Sequence, residues 1–264
     1  MHLRHPAILL LLYGVGAAPA NAQDRTPLTI DDFITMPIVS DPQISPDGAV
    51  VAFTVSTASL DGNQTATTVW LADLAIGASW QANPTTGNDR APRWSPDGKT
   101  LAFISTRDGT SQIWRMPLRG GDAVRVTSSK DGMTDFLWSP DGRSLYFWTD
   151  ISWGDSTEAT RRSAPWPTDA KIFTDLFYRH WNEWRLGLRS HLFRVDLASG
   201  TATDVTPFDR DVPPLALGGS AIAVSPTGTE VAIVYNPDSL LATSTNNDVF
   251  VMGPDGSARQ PITT

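Results

Sequence analysis

Aromatic and arginine side chains are concentrated in residues 151–190. The tryptophans of this stretch are Trp153, Trp166, Trp181 and Trp184, and its arginines are Arg161, Arg162, Arg179, Arg185 and Arg189. Both types are common at protein binding hot spots and at surfaces that bind single-stranded nucleic acid. The formal net charge of −8 argues against nucleic acid, whose phosphates an acidic protein repels. The stretch is therefore interpreted as either a binding insertion or an ordered surface flap.

Two histidines of the same region, His180 and His191, are the candidates for metal ligation. A zinc site needs at least three protein ligands at suitable spacing. Asp175 and Glu183 lie nearby, but together they form no recognised metal-binding pattern. The histidines are therefore interpreted as packing or hydrogen-bonding residues. No glycine-rich phosphate loop is present in the sequence, and we predict neither a metal nor a cofactor.

The amino-terminal residues have the pattern of a secretory signal peptide. Arg4 precedes an apolar run over residues 7–15, and Ala20-Asn21-Ala22 fits the small-x-small cleavage site. The run is shorter than the ~20 residues that cross a bilayer. We expect residues 1–22 to be removed between Ala22 and Gln23, leaving a periplasmic or secreted protein with no membrane span.

The composition restricts how the mature chain can be stabilised. The sequence contains no cysteine, which excludes disulfides, thiolate metal ligands and a cysteine nucleophile. An exported protein without disulfides depends on a packed core, and ten tryptophans and ten phenylalanines provide the material for one. Residues 23–264 are long enough for one large all-β domain.

A repeated tetrapeptide organises the chain. Ser-Pro-Asp-Gly occurs at residues 45–48, 95–98 and 139–142, and Ser-Pro-Thr-Gly occurs at 225–228. Serine, proline, aspartate and glycine suit the four positions of a type I turn that closes a hairpin. Short apolar runs follow each turn, and the shorter spacings suit a propeller blade of about 40–50 residues.

The repeat predicts an all-β fold, a β-propeller of four-stranded blades. Residues 91–95, 101–105, 112–116 and 123–128 form one complete blade in this prediction. An antiparallel sandwich would also give short, regularly spaced strands, but not the same turn at the same point of each unit. The predicted blades cover roughly residues 40–88, 89–131, 132–210 with the insert at 151–190, and 211–264.

Two longer stretches carry a resemblance to a known family. Leu28–Phe33 with Val39–Gly48, and Phe177–Trp184 with Arg189–Phe193, resemble prolyl oligopeptidase-family serine peptidases of the dipeptidyl-peptidase and acylaminoacyl-peptidase branch. TolB-type propellers share the tetrapeptide repeat. The resemblance implies a propeller of about seven or eight blades that caps an α/β-hydrolase domain. Four blades would then be about half of such a ring.

The sequence departs from that family at the catalytic centre. A hydrolase of this type carries its serine on a Gly-x-Ser-x-Gly elbow, and no such motif occurs in this chain. Gly218-Gly219-Ser220 continues as Ala221-Ile222, without the closing glycine. We therefore predict no catalytic residue and no α/β-hydrolase domain in these 264 residues. A truncated, split or partly represented gene would each explain the departure.

The resemblance also implies a substrate-binding site. In the dipeptidyl-peptidase branch, acidic residues on a propeller insert bind the free ammonium of a peptide. Glu183, beside Asn182 and flanked by Arg179 and Arg185, is the candidate here. The alternative is that Glu183 pairs with Arg179 or Arg185 on the surface.

Two functions and one non-functional alternative follow. The first is the gating and amino-end-binding propeller of a serine exopeptidase, which binds short peptides when joined to a hydrolase. The second is a periplasmic protein-binding module like the TolB-type propellers, and the alternative is a truncated fragment. In an open ring we expect Trp94, Trp138, Phe103 and Phe147 to lie near uncovered apolar surface and to promote self-association.

Overall fold

A computed structural model describes residues 27–118, 121–153, 179–180, 183–185, 187–215 and 221–263. Within these residues the chain forms four antiparallel sheets of four strands each, and one small two-stranded sheet. The predicted all-β fold with four-stranded propeller blades is confirmed. No helix of the described residues is long and apolar enough to cross a bilayer.

The elements follow one another in chain order. After helix α1 (Ile30–Thr35), blade 1 contains β1 (Ile38–Ile44), β2 (Val50–Ser59), β3 (Gln64–Asp73) and β4 (Ser79–Gln81). Blade 2 contains β5 (Asp89–Trp94), β6 (Thr100–Ser105), β7 (Gln112–Pro117) and β8 (Val124–Arg125). Blade 3 contains β9 (Phe136–Trp138), β10 (Ser144–Ser152), β13 (Leu188–Asp196) and β14 (Ala202–Asp204), with β11 (Arg179–His180) and β12 (Glu183–Trp184) between its middle strands. Blade 4 contains β15 (Ile222–Val224), β16 (Val231–Tyr235), β17 (Asp248–Met252) and β18 (Gln260–Pro261), with a 3-10 turn (Leu241–Thr243) before β17.

The tetrapeptide forms the turn between the first two strands of each blade. In blade 1 the Gly48 amide donates to the Ser45 carbonyl at 2.9 Å, and Gly48 has a φ of +73°. The Ser45 hydroxyl donates to the Asp47 carboxylate at 2.6 Å and accepts from the Val50 amide at 3.0 Å. The hydrogen bond from Ser45 lowers the pKa of Asp47, and the same arrangement lowers the pKa of Asp97 and Asp141.

The tryptophan that precedes the turn joins neighbouring blades. The Trp94 indole donates to the carbonyl of Gln43 in blade 1 at 2.9 Å, and the Trp138 indole donates to the carbonyl of Arg93 in blade 2 at 3.1 Å. Because the donor and the acceptor both lie on first strands, these bonds hold the first strands of consecutive blades together. A partly buried indole with a satisfied N–H also contributes apolar area to the contact.

Successive tetrapeptide turns also pack on one another. A Cβ built on Gly98 would lie 3.4 Å from the Cδ of Pro46 in the preceding turn. The corresponding pairs in the next blades are Gly142 with Pro96 at 3.6 Å and Gly228 with Pro140 at 3.7 Å. The proline and glycine of the repeat therefore fix blade spacing as well as turn geometry.

The apolar core is divided into clusters between consecutive blades. Representative members are Leu71 with Phe103 for blades 1 and 2, Ile104 with Phe136 for blades 2 and 3, and Leu192 with Ile233 for blades 3 and 4. Each fully buried side chain of this size contributes about 1.5–3 kcal/mol relative to an exposed one. Stability therefore depends on blade stacking.

The aromatic residues expected near uncovered surface lie inside these contacts. Phe103 is 0% and Phe147 is 3% exposed, and Trp94 and Trp138 are partly buried between blades. The expected position near uncovered surface was wrong, because the sheet faces that carry these side chains are covered by neighbouring blades of the same chain. The expected self-association stays a prediction.

Eight of the fifteen exposed large apolar side chains among the described residues lie near the start of the described chain. Helix α1 begins with a capping box, in which Thr29 accepts from the Asp32 amide at 3.1 Å and the Asp32 carboxylate accepts from the Thr29 amide at 3.0 Å. None of its residues is buried. The exposed apolar residues of this region are Leu28, Ile30, Phe33, Ile34, Met36, Ile38, Val39 and Ile44.

Candidate functional site

The predicted insert extends from a hairpin formed by the middle strands of blade 3. Strands β10 and β13 pair without interruption from Ser144 opposite Asp196 to Ser152 opposite Leu188. The apolar residues of the sequence predict shorter strands here, at 145–148 and 192–197. The missing residues include Asp150 and Arg189, whose charged side chains interrupt the apolar run that would identify a strand. The hairpin therefore extends beyond the apolar part of the blade.

A second, smaller hairpin lies within the insert. Strand β11 pairs with β12 so that Arg179 lies opposite Trp184 and His180 opposite Glu183. This pairing places Arg179 and Glu183, two of the four predicted site residues, on one two-stranded sheet. Asn182 lies outside the described residues. For Glu183 the structure describes the backbone, which lies in β12.

Arg185, the fourth predicted site residue, is buried and ion-paired. Its side chain is 7% exposed. One terminal nitrogen donates to the Asp150 carboxylate at 2.6 Å, and the other donates to the Asp211 carboxylate at 2.5 Å. Both terminal nitrogens of Arg185 are thus bound to carboxylates within the protein. Arg185 therefore has a structural role and does not lie on an open surface. The sequence could not identify these partners, which lie 35 and 26 residues away along the chain.

His191 is buried in blade 3, where it is 0% exposed. Its Nδ1 lies 2.7 Å from the Asp204 carboxylate, and its Nε2 has no hydrogen-bond partner among the residues that the structure describes. The ring centroid lies 4.9 Å from that of Trp153 and 6.5 Å from that of Phe208. The interpretation of His191 as a packing and hydrogen-bonding residue is confirmed by these contacts. The described residues contain no group of three potential metal ligands.

The position of His191 recurs in other blades as a polar residue on the third strand, directly before an apolar residue whose amide donates to a threonine hydroxyl. Gln112 in blade 2 accepts from the hydroxyl of Thr127 at 3.0 Å, and Asp248 in blade 4 accepts from the hydroxyl of Thr263 at 2.9 Å. The sequence reasoning missed this network. Its signal is an apolar residue followed by threonine near the end of each of these blades, at 126–127, 205–206 and 262–263.

A second set of charged residues missed by the sequence reasoning joins the first strands of blades 1 and 2 to Asp135, the residue before the first strand of blade 3. Arg93 in β5 donates to the Asp41 carboxylate at 2.7 Å and to the Asp135 carboxylate at 3.3 Å. The register shifts in β1 and β5 accompany left-handed backbone at Asp41 and Ala91, with φ of +48° and +52°. Such bulges redirect side chains locally. One arginine therefore connects three blades.

The chain is similar to a propeller family described as "TolB beta propeller domain", whose family model matches residues 30–156. It is 30% identical over 232 residues to dipeptidyl-peptidase 5 of Porphyromonas gingivalis, covering 85% of this chain and 34% of that protein. The chain thus spans about a third of the length of the curated relatives that it matches over most of its own length.

Solved structures with low sequence identity share the fold. An acylaminoacyl peptidase of Pyrococcus horikoshii superposes with a TM-score of 0.63 at 18% identity, over 88% of this chain and 33% of that one. TolB of Acinetobacter baumannii superposes with a TM-score of 0.52 at 18% identity, over 86% of this chain and 44% of that one. Both comparisons support the propeller architecture.

Proposed function

We propose that this chain, a propeller similar to dipeptidyl-peptidase 5 and to TolB-type propellers, is the non-catalytic propeller portion of an exported serine exopeptidase. In this proposal the propeller restricts access to a hydrolase domain and binds the amino end of short peptides. The observation that carries the proposal is the similarity to dipeptidyl-peptidase 5 over 85% of the chain, which includes the insert of blade 3.

Glu183 is the residue that we propose binds the peptide ammonium. Its strand, β12, belongs to a hairpin at the end of the extended strands β10 and β13. A carboxylate near aromatic side chains attracts an ammonium more strongly than one in bulk water, because the local dielectric is lower. Fixing the ammonium at one point sets the distance from the amino end to the scissile bond, which is the property that defines an exopeptidase.

The proposal is tested by the binding of a dipeptide amide with a free amine, Ala-Ala amide, and of its N-acetylated form to the purified chain. Wild type should bind the free amine more tightly. Glu183→Gln should lose about 2–5 kcal/mol of binding free energy for the free amine alone, the amount typical of truncating a buried charged pair. The matched control is Glu230→Gln, an exposed residue of blade 4 that should leave both affinities unchanged.

A surface role for Glu183 predicts a different result. An exposed ion pair contributes about 0–1 kcal/mol, and its removal would change binding of the two ligands equally or not at all. Equal affinities of wild type for the free and acetylated forms would refute the proposed amine site.

The second candidate function is a protein-binding module of the TolB type. It is favoured by the TolB propeller match over residues 30–156, which ends within the insert. This candidate predicts no discrimination between free and acetylated peptides. Chemical cross-linking of the exported protein in its native compartment, followed by mass spectrometry, would identify a stable protein partner if this function is correct.

A further inference from the structure

The guanidinium of Arg185 joins three separate parts of the chain. Arg185 directly follows β12, Asp150 belongs to β10, and Asp211 lies in the segment between blades 3 and 4. Asp211 also accepts from the Ser190 amide in β13 at 2.8 Å. The arginine is therefore bound to the hairpin that supports the insert and to the connection between two blades.

Further contacts make this junction continuous with the core. The Trp153 amide donates to the Gly187 carbonyl at 2.8 Å, and the Leu188 amide donates to the Arg185 carbonyl at 3.2 Å. Val212, which follows Asp211, is 0% exposed within the cluster between blades 3 and 4, and its amide donates to the Ser190 carbonyl at 2.7 Å. Arg185 is therefore bound to a carboxylate whose neighbour along the chain, Val212, is a residue of the core.

The chemistry of the junction is specific for arginine. Its planar guanidinium presents terminal nitrogens in a fixed fork, so two carboxylates on different elements can be bound at the same time. Losing one partner of a buried ion pair leaves the other charge without compensation, which makes the paired arrangement strongly preferred over a partly broken one. A lysine has one ammonium on a flexible stem and reproduces this geometry poorly.

We propose that Arg185 is a positioning residue that fixes strand β12, and with it Glu183, relative to blades 3 and 4. This inference rests on the proposed function of Glu183 for its biological meaning. Glu183 precedes Arg185 by two residues, so the tether leaves its strand little freedom to move. The backbone at Glu183 then keeps a constant distance to the rest of the propeller.

Amide hydrogen exchange on the full chain tests the tether without any ligand. In Arg185→Met and in Asp211→Asn, amide exchange at Trp153, Leu188 and Trp184 should accelerate at least about tenfold. This is the change in rate expected when a charge-assisted hydrogen bond is lost. The amides of β6 in blade 2 should keep their wild-type rates. The matched control is Arg189→Met, which breaks the more exposed pair of Arg189 with Asp209 on the same hairpin and should leave all these rates unchanged.

Arg185→Lys and Asp150→Asn provide milder changes if the first variants do not fold. Arg185→Lys should give intermediate exchange rates and should restore part of the preference for free over acetylated dipeptide amide that Arg185→Met loses. Unchanged exchange at Trp153 and Leu188 in the folded Arg185 variants, or equal acceleration in Arg189→Met, would overturn the positioning role. Failure of wild type to prefer the free amine refutes the Glu183 site instead, and the exchange result still decides whether Arg185 is a tether.

Discussion

Substituting alanine for two glycines separates backbone strain from blade packing. Gly48 and Gly256 both have left-handed backbone, with φ of +73° and +85°. A Cβ on Gly48 would meet no atom within 4 Å, whereas a Cβ on Gly256 would lie 2.2 Å from the carbonyl oxygen of Val205 in blade 3. Gly48→Ala therefore measures the conformational penalty alone, and Gly256→Ala adds a steric conflict between blades 3 and 4.

The expected magnitudes follow from these two environments. Left-handed backbone costs a residue with a Cβ roughly 1–2 kcal/mol, and this should be the whole effect of Gly48→Ala. Overpacking against a backbone atom adds about 1–3 kcal/mol, because Val205 is 1% exposed and cannot move without disturbing the cluster around it. Gly256→Ala should therefore lose roughly 2–5 kcal/mol of unfolding free energy in total.

Urea unfolding followed by tryptophan fluorescence measures both losses. The midpoint should fall in both variants and fall further in Gly256→Ala, with an unchanged denaturant slope if unfolding remains two-state. Equal losses in the two variants would refute the idea that close contact between blades, rather than turn geometry alone, determines stability at Gly256.

The remaining predictions concern pH, catalysis and export. Folding lowers the pKa of Asp47, Asp97 and Asp141. Their contribution to the free energy of unfolding is therefore complete above about pH 4 and is lost as the pH falls below that value. Replacing the tetrapeptide serines with alanine should make the free energy of unfolding fall less steeply on the acid side of its pH profile. A fluorophosphonate probe should label no serine of this chain, since no Gly-x-Ser-x-Gly is present, and stoichiometric labelling would contradict this. Amino-terminal sequencing of exported protein should begin at Gln23, and retention of Met1 would show that the predicted signal peptide is not cleaved.

Local sequence patterns were sufficient to predict the blade architecture. The tetrapeptide repeat identified each first hairpin, because hydrogen bonds within six residues stabilise its turn. In blade 1 these are the hydrogen bonds that Ser45 makes with Asp47, Gly48 and Val50. Apolar runs then identified the second and third strands of each blade. Weak strands such as β4 (Ser79–Gln81) were missed, because their pairing depends on β3 rather than on their own residues.

The site was less predictable because its contacts join distant parts of the chain. The sequence placed Arg185 near Glu183 but gave no sign that it would be buried with Asp150 and Asp211. It likewise predicted His191 to be a packing or hydrogen-bonding residue but did not identify its partners, which are Asp204 and Trp153. A charged side chain or an imidazole has many possible partners in a sequence. Which of them lie close in space is determined by how the strands pair.

The contact between blades 3 and 4 connects the stability prediction with the proposed tether. Val205, which a Cβ on Gly256 would strike, lies in the same apolar cluster as Val212, and Val212 follows the Asp211 that binds Arg185. Displacing this cluster should therefore loosen the base of the insert even though Gly256 lies on blade 4. We expect the Leu188 amide to exchange faster in Gly256→Ala, and at the wild-type rate in Gly48→Ala. Wild-type exchange at Leu188 in a folded Gly256→Ala protein would show that the insert is held independently of the blade contact.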